Sequence, residues 1–507
     1  MLLLYLGIRI LKKIFKLIFI IMVFFISLPS FAITETAETD KNISQNATLS
    51  LEDCVNLAII NSPKIKKYRG NLKAAKARVS QAKSDFFPTI TAGTNFGYNG
   101  NSGNRVSTTS EGLYNASATL NWLIFNFGKT NAKIDMQKFY VISSQNDLDN
   151  IILQTVFNVR SNYYAVLAAK AYVNVQKAYV DINERQYQRT KAYFEEGLKS
   201  KIDLVNSEVY LSEAKIALIN AQNNYDNSII SLNNSMYVVD APDYNIKNTE
   251  TFNLKSHSIP VTLKDIHSKE VYTLPETPKN SVFNTSVEKS DILETFVFTP
   301  FPYNFEQSAA YAKEHRPDLK ALYATEKAME KSLLYAKRDY YPSLSAQAGY
   351  SFRDNTHSTY TNGVNAGAYL NLPVINAANT KFKIDEAKAN LDVAKESVDM
   401  AEKDIYFEVQ KAYIDMKKLE KQIPLQYVKV RQTLENFELA DGRYEVGLAD
   451  FIELQDAKVN YNNAQREYVK IVFDYNVARA KLELTISMLP EEIKITEEKN
   501  KTNGGKK

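Results

Sequence analysis

Four stretches of the chain alternate apolar and polar residues with period two, and much longer helical stripes separate them. Ile90, Ala92, Thr94, Phe96 and Tyr98 share one face, opposite Thr91, Gly93, Asn95, Gly97 and Asn99. Tyr114, Ala116, Ala118, Leu120 and Trp122 alternate in the same way with Asn115, Ser117, Thr119 and Asn121. Leu344, Ala346, Ala348, Tyr350 and Phe352 repeat the pattern, as do Val364, Ala366, Ala368, Leu370 and Leu372. Period two predicts β-strands. Each run is close to the roughly 9–11 residues that a tilted strand needs to cross a bilayer. Polar loops, Gly100–Gly112 and Arg353–Asn362, join the strands in pairs. A hairpin on a soluble core would alternate too, but four matched strands with aromatic ends favour a membrane.

The helical stripes follow a different rule. Lys129 to Glu196 contains no Gly and no Pro, which allows a helix of about 100 Å. Ile152, Val156, Val159, Tyr163, Val166, Val173 and Val180 keep a 4–3 spacing, as do Tyr406, Val409, Tyr413, Met416, Ile423, Tyr427, Val430, Leu434 and Phe437. That repeat predicts supercoiled packing, with a kink near Pro424. Gly197 and Gly447 end the long helices. Second helices follow from Ser200 to about Met236 and from Asp450 to about Met488. An opening helix precedes each hairpin, from Leu51 to Phe87 and from Asp318 to Tyr341, stopped by Pro88 and Pro342.

These elements occur twice in the same order. Pro63 and Pro88 recur as Pro317 and Pro342, an offset of 254; Leu120, Tyr163 and Gly197 recur as Leu370, Tyr413 and Gly447, an offset of 250. The expected organisation is a segment 1–32, a first repeat 33–236, a Pro-rich insert 237–304 against the outside of the helices, a second repeat 305–488, and a charged, disordered tail 489–507. In each repeat the opening and closing helices together match the long one, so they can stack end to end beside it.

Composition changes the picture at the N-terminus. Arg9, Lys12, Lys13 and Lys16 precede an apolar run, Leu17 to Leu28, and the small-x-small site Ser30-Phe31-Ala32. This predicts a cleaved secretory signal, with an uncleaved anchor as the alternative. Residues 1–32 carry those four cations and no acidic group, so cleavage takes the net charge from +4 to 0. A neutral mature chain argues against nucleic-acid binding. The one cysteine, Cys54, excludes an internal disulfide framework. Beyond residue 32 no run is long and apolar enough for a transmembrane helix, so any membrane crossing is by strands.

Four strands cannot close a barrel, and an open edge in lipid leaves backbone groups unpaired. Two, three or four copies would pool 8, 12 or 16 strands. The ordered set of signal, duplicated helix–hairpin–helix–helix, Pro-rich insert and turns Tyr193-Phe194-Glu195-Glu196-Gly197-Leu198 and Arg443-Tyr444-Glu445-Val446-Gly447-Leu448 resembles the TolC-like outer-membrane efflux proteins. The resemblance spans about residues 50–488. It implies an α+β membrane protein: a tandem-duplicated protomer that, as a homotrimer, forms a 12-stranded transmembrane β-barrel continuous with a periplasmic α-helical barrel. It implies an outer-membrane exit duct for efflux or type I secretion, served by a periplasmic adaptor and an inner-membrane transporter, with no cofactor.

The resemblance also implies a constriction at the far end of the tunnel. By spacing from the turn glycines, its residues are Glu453, Asp456, Asp203, Tyr444 and Gln186. The turns themselves, Gly197-Leu198 and Gly447-Leu448, would receive the adaptor. The family's basic residue two positions after the second glycine is Ala449 here, so one tie is missing or supplied elsewhere. Capping competes with this reading. Ser200-x-x-Asp203 and Asp450-x-x-Glu453 both have capping-box spacing, and Asp456 has a solvated surface charge as its alternative. No enzyme motif is present, and the four histidines (His257, His267, His315, His357) lack ligand spacing. The competing functions are a surface coiled-coil structural protein and a periplasmic adaptor, neither of which accounts for the four strands.

Overall fold

The computed structural model describes residues 43–101, 109–247, 263–264, 271–272, 301–355, 358–373 and 377–488. The expected signal, most of the expected insert and the expected tail lie outside them. The first repeat runs β1 (Thr48–Leu49), α1 (Leu51–Asn61), α2 (Pro63–Ser84), β2 (Thr89–Asn101), β3 (Thr109–Phe125), α3 (Lys129–Glu195) and α4 (Lys201–Met236). The linker contributes three two-residue strands, β4 (Asn245–Ile246), β5 (Leu263–Lys264) and β6 (Val271–Tyr272). The second repeat runs α5 (Phe305–His315), α6 (Pro317–Lys337), β7 (Ser343–Asn355), β8 (Ser358–Asn371), α7 (Ala377–Glu445) and α8 (Phe451–Ile486).

Two boundaries differ from the sequence expectation. The segment read as one helix from Leu51 to Phe87 is two helices, broken at Ser62-Pro63. A residue before proline is driven out of the helical region; Ser62 has φ −57°, ψ 115°, and Arg316, before Pro317, has φ −60°, ψ 120°. Ser62 uses the break, its hydroxyl accepting from Ile65 N at 3.3 Å as the cap of α2. The strands also run into the stretches read as loops, β2 to Asn101 and β3 from Thr109. Paired backbone carries strand structure past the point where apolar alternation stops. Pro424 sits inside α7 without ending it.

β2, β3, β7 and β8 form one antiparallel sheet in that order. Its register aligns Ile90, Leu120, Ala348 and Ala366 in one row, and Thr89, Asn121, Gln347 and Gly367 in the next. All the apolar sets therefore share one face, on which Ile90, Phe96, Trp122, Val364 and Leu370 are exposed. The sheet is open: β2 and β8 are its edges. The Trp122 indole donates to Phe86 O at 3.0 Å and ties the sheet to the end of the opening helix.

α3 and α7, of 67 and 69 residues, are the spine of each repeat. α3 packs on α2 and α4 of its own repeat and on α6 and α8 of the other; α7 packs on α6 and α8. The core fills the seams with Val159, Tyr163, Val166, Val409, Met416, Val430, Tyr468 and Leu482. The Tyr163 hydroxyl bonds to Lys247 O, fastening the β1–β4 ribbon to α3. A buried ion pair crosses from α3 to α8: Arg160 donates to Glu483 at 2.6 Å, and Arg479 holds the other carboxylate oxygen at 3.0 Å.

Removing one member of a buried pair strands the other charge. Glu483→Ala is therefore expected to cost about 3–5 kcal/mol, read as a lower denaturation midpoint of helical circular dichroism in detergent. Arg160→Met combined with Glu483→Leu should recover most of that loss. A neutral Glu483→Ala would show that the pair is not buried.

Candidate functional site at the helix turns

The long helices carry their C-terminal turns about 100 Å from the sheet. Gly197 and Gly447 adopt φ 76° and 78°, the left-handed conformation that ends a helix. Leu198 N then bonds back to Tyr193 O at 2.8 Å, and Leu448 N to Arg443 O at 2.8 Å. No heavy atom lies within 4 Å of a Cβ built at either glycine, so backbone conformation and not space demands it. Both turns project leucines, Leu198 and Leu448, into solvent, with Ile202 and Ile452 exposed beside them.

The five expected constriction residues fall into two groups. Gln186, Tyr444 and Asp203 belong to one cluster where α3, α7 and α4 meet. Tyr444 is buried, with Lys199 Nζ 4.3 Å and Arg189 Cζ 5.8 Å from its ring centroid, and it meets Phe451 edge-on. Burial raises its phenol pKa, while the Thr190 hydroxyl favours the ionised form and the Asp203 carboxylate opposes it. Gln186 is buried, donates to Thr190 at 3.2 Å and accepts from Arg189. Asp203 completes a capping box, its carboxylate accepting from the Ser200 hydroxyl at 2.9 Å and from Ser200 N at 3.3 Å.

Glu453 and Asp456 lie outside that cluster on the exposed face of α8. The second capping box is incomplete. Asp450 accepts from Glu453 N at 2.7 Å, but the Glu453 carboxylate turns to Arg443 at 3.3 Å and leaves the cap. Asp456 makes no hydrogen bond or ion pair among the described residues.

Sequence reasoning missed the residues that join these helices. Arg189 of α3 pairs with Asp441 of α7 and supplies a cation near Tyr444, while Ala449 is buried. Lys458 of α8 is buried, its ammonium donating to Asn183 Oδ1 at 3.2 Å. Gln455, one turn earlier, has both amide atoms buried without a partner among the described residues. A signal for Lys458 existed: Leu454, Lys458, Tyr461, Gln465 and Tyr468 continue a 4–3 stripe, so a polar residue in that seam must be buried. Burial drives the Lys458 amine down to about 7, against the Asp441 carboxylate and with help from Arg189.

The family model described as "Outer membrane efflux protein" matches residues 54–236 and 310–486. The probable efflux pump outer membrane protein TtgC of Pseudomonas putida is 21% identical over 429 residues, 83% of this chain and 79% of its own length. The outer membrane protein TolC of Escherichia coli is 24% identical over 231 residues, 45% of this chain and 44% of its own. Among solved structures, CusC superposes with a TM-score of 0.68 at 13% identity, covering 89% of this chain and 95% of that one. The Campylobacter jejuni CmeC outer membrane channel gives 0.66 at 17% identity, covering 86% and 85%.

The buried lysine fixes a pH dependence. An exposed lysine keeps its proton up to about 10.5, whereas packed Lys458 sheds it near 7. Between those values the opened state binds more protons, so the packing of α8 strengthens as pH rises through the window and is weakest below it. Hydrogen exchange across Leu454–Tyr461, corrected for intrinsic rates, should show the opening constant falling by up to about tenfold per pH unit. Lys458→Met should flatten that slope. A flat profile in the unaltered chain would contradict the burial.

Proposed function

Because the chain belongs to the outer membrane efflux protein family, and is a TolC-like outer-membrane protein, we propose that it is the exit duct of a tripartite efflux or type I secretion system. Three copies pool their strands into a 12-stranded barrel, and their helices into a periplasmic tunnel continuous with it. Cargo passes from an inner-membrane transporter to the exterior without chemistry on this chain.

The observation that carries this reading is the open sheet. It exposes an apolar, aromatic-edged face, offers a polar face on the other side, and ends in two unpaired edges. In lipid the apolar face is satisfied, the polar face lines water, and the edges require more strands. The exposed leucines of the turns, Leu198 and Leu448, suit the hydrophobic tip of a periplasmic adaptor. Glu453 and Asp456, exposed near the same end, would put six carboxylates around the opening of a trimer. A ring of acidic side chains favours cations.

Two measurements test this. Leu120→Arg or Ala368→Arg should cost about 2–4 kcal/mol if the site is near mid-bilayer, whereas Asn121→Arg or Gln347→Arg should be tolerated. Equal tolerance on both faces would reject the membrane reading. In planar-bilayer recordings, the Glu453→Ala, Asp456→Ala double variant should lose cation preference. Unchanged selectivity would leave these two carboxylates as surface charges only.

A further inference from the structure

One aromatic residue lies on the wrong face of the sheet. The face opposite the apolar one carries Ser, Thr, Asn, Gln and Gly at most positions, yet Tyr369 of β8 falls on it. Among the described strand residues it is the one aromatic side chain there.

The duplication shows the ordinary residue for this place. By the offset of 250, Tyr369 and Gly367 correspond to Thr119 and Ser117 of the first repeat. The strand pairing is the same in both: Thr91 faces Thr119, and Ser345 faces Tyr369. The second repeat thus has a phenol where the first has a hydroxyl, and no side chain two residues before it.

The two differences act together. Residues two apart in a strand point to the same side, so Gly367 leaves a gap beside Tyr369. The tip of the ring leans over that gap: Cε2, Cζ and Oη all lie 3.3 Å from a Cβ built at Gly367, closer than ordinary van der Waals contact. A close approach therefore requires this glycine. The tyrosine is 49% exposed, so its ring remains open to the space above the polar face.

The next row supplies polar groups. Gly367, Gln347, Asn121 and Thr89 stand side by side across the four strands. The Gln347 and Asn121 amides have no side-chain hydrogen-bond partner among the described residues, and each offers donors and an acceptor. Together with Ser84, Asp85 and Phe87 at the end of α2, these residues border a cavity of about 490 Å³, within the range of small-ligand sites. Asp85 is the charged residue on its wall, and Lys133 holds that carboxylate at 2.7 Å. An open ring, two free amides and no unpaired charge suit an uncharged ligand with a flat ring to stack on Tyr369.

We propose that this cavity is a cargo-binding subsite for uncharged, planar aromatic molecules that carry a hydrogen-bonding group. Tyr369 is its stacking platform, Gly367 the clearance that seats the ring, and Gln347 and Asn121 its polar contacts. The proposal rests on the exit-duct reading and names a class of cargo for it. Under that reading the polar face lines the barrel interior. β8 ends two residues past Tyr369, at Asn371, so the subsite stands where cargo leaves the helical tunnel for the barrel. A trimer would carry three such platforms, because the first repeat has none.

Benzamide and its saturated analogue cyclohexanecarboxamide are the probes, titrated into the full-length protein in detergent and followed by ligand-observed NMR. Benzamide should bind about threefold to tenfold more tightly than cyclohexanecarboxamide. Tyr369→Thr, which installs the first repeat's residue, should weaken benzamide by the same factor and erase the preference. Tyr369→Phe should keep both. Gly367→Ala should weaken benzamide as well, because the added Cβ displaces the ring. No preference for benzamide, undiminished affinity in Tyr369→Thr, or equal losses in Tyr369→Thr and Tyr369→Phe would each overturn the subsite. Planar-bilayer recordings of the unaltered protein separate this from the reading beneath it. A conducting channel whose benzamide affinity ignores Tyr369 would overturn the subsite and leave the duct. A chain that forms no channel would overturn the duct, and the cargo subsite with it.

Discussion

Every level of this structure answers to unpaired backbone at the two edges of one sheet. An N–H or C=O without a partner in hydrocarbon costs several kcal/mol, and β2 and β8 each present a full row of them. Among the described residues nothing pairs both rows, because four strands are too few to curl into a barrel. On the proposed function the edges are matched by other copies, which would place the helices continuous with the strands side by side. On that reading the sheet would set the symmetry and the helices would inherit it.

The opposite end is built on weaker terms. There, besides the apolar packing of Phe437, Phe451 and Leu454, charged and amide groups join the helices: Arg189 with Asp441, Lys458 with Asn183, Gln186 with Thr190. Burying such groups returns little net stability even when they are paired, and a buried lysine or an unpaired amide works against packing. The sheet end is held by ladders that break only together. The turn end combines such contacts with an apolar core of Phe437, Phe451 and Leu454.

The legible part of the fold was what periodicity encodes. Period-two alternation located all four strands and their common apolar face, because register slippage by one residue would invert that face. The 4–3 stripes and the glycines at 197 and 447 located the long helices and their ends. The break at Ser62-Pro63 is not read from the sequence, although proline carries the signal; Pro317 is read as a helix start, but the helix before it, Phe305–His315, is missed. The cluster around Tyr444 was read in part, through Gln186 and Asp203. Arg189 and Asp441 lie 252 residues apart in sequence, and no local pattern pairs them. Glu453 was placed by spacing, yet its capping role failed, because Arg443 competes for the same carboxylate.

The two copies of the repeat have diverged where their surroundings differ, and the direction of divergence is informative. Inside the chain the first repeat meets the second with Lys129 on Asp339 and with Arg160 on Glu483. Those ion pairs add to an apolar seam in which Ala132, Tyr164, Val175 and Val469 are buried. Facing outward, the counterparts of Lys129 and Arg160 are Asn379 and Gln410, and Phe382, Ile414 and Leu425 are exposed where Ala132, Tyr164 and Val175 are buried. Association between separate molecules must offset lost translational freedom, and apolar area is the term that grows with contact and needs little geometric matching. The seam inside the molecule thus combines buried apolar residues with ion pairs, whereas its outward counterpart keeps apolar residues and lacks those charges.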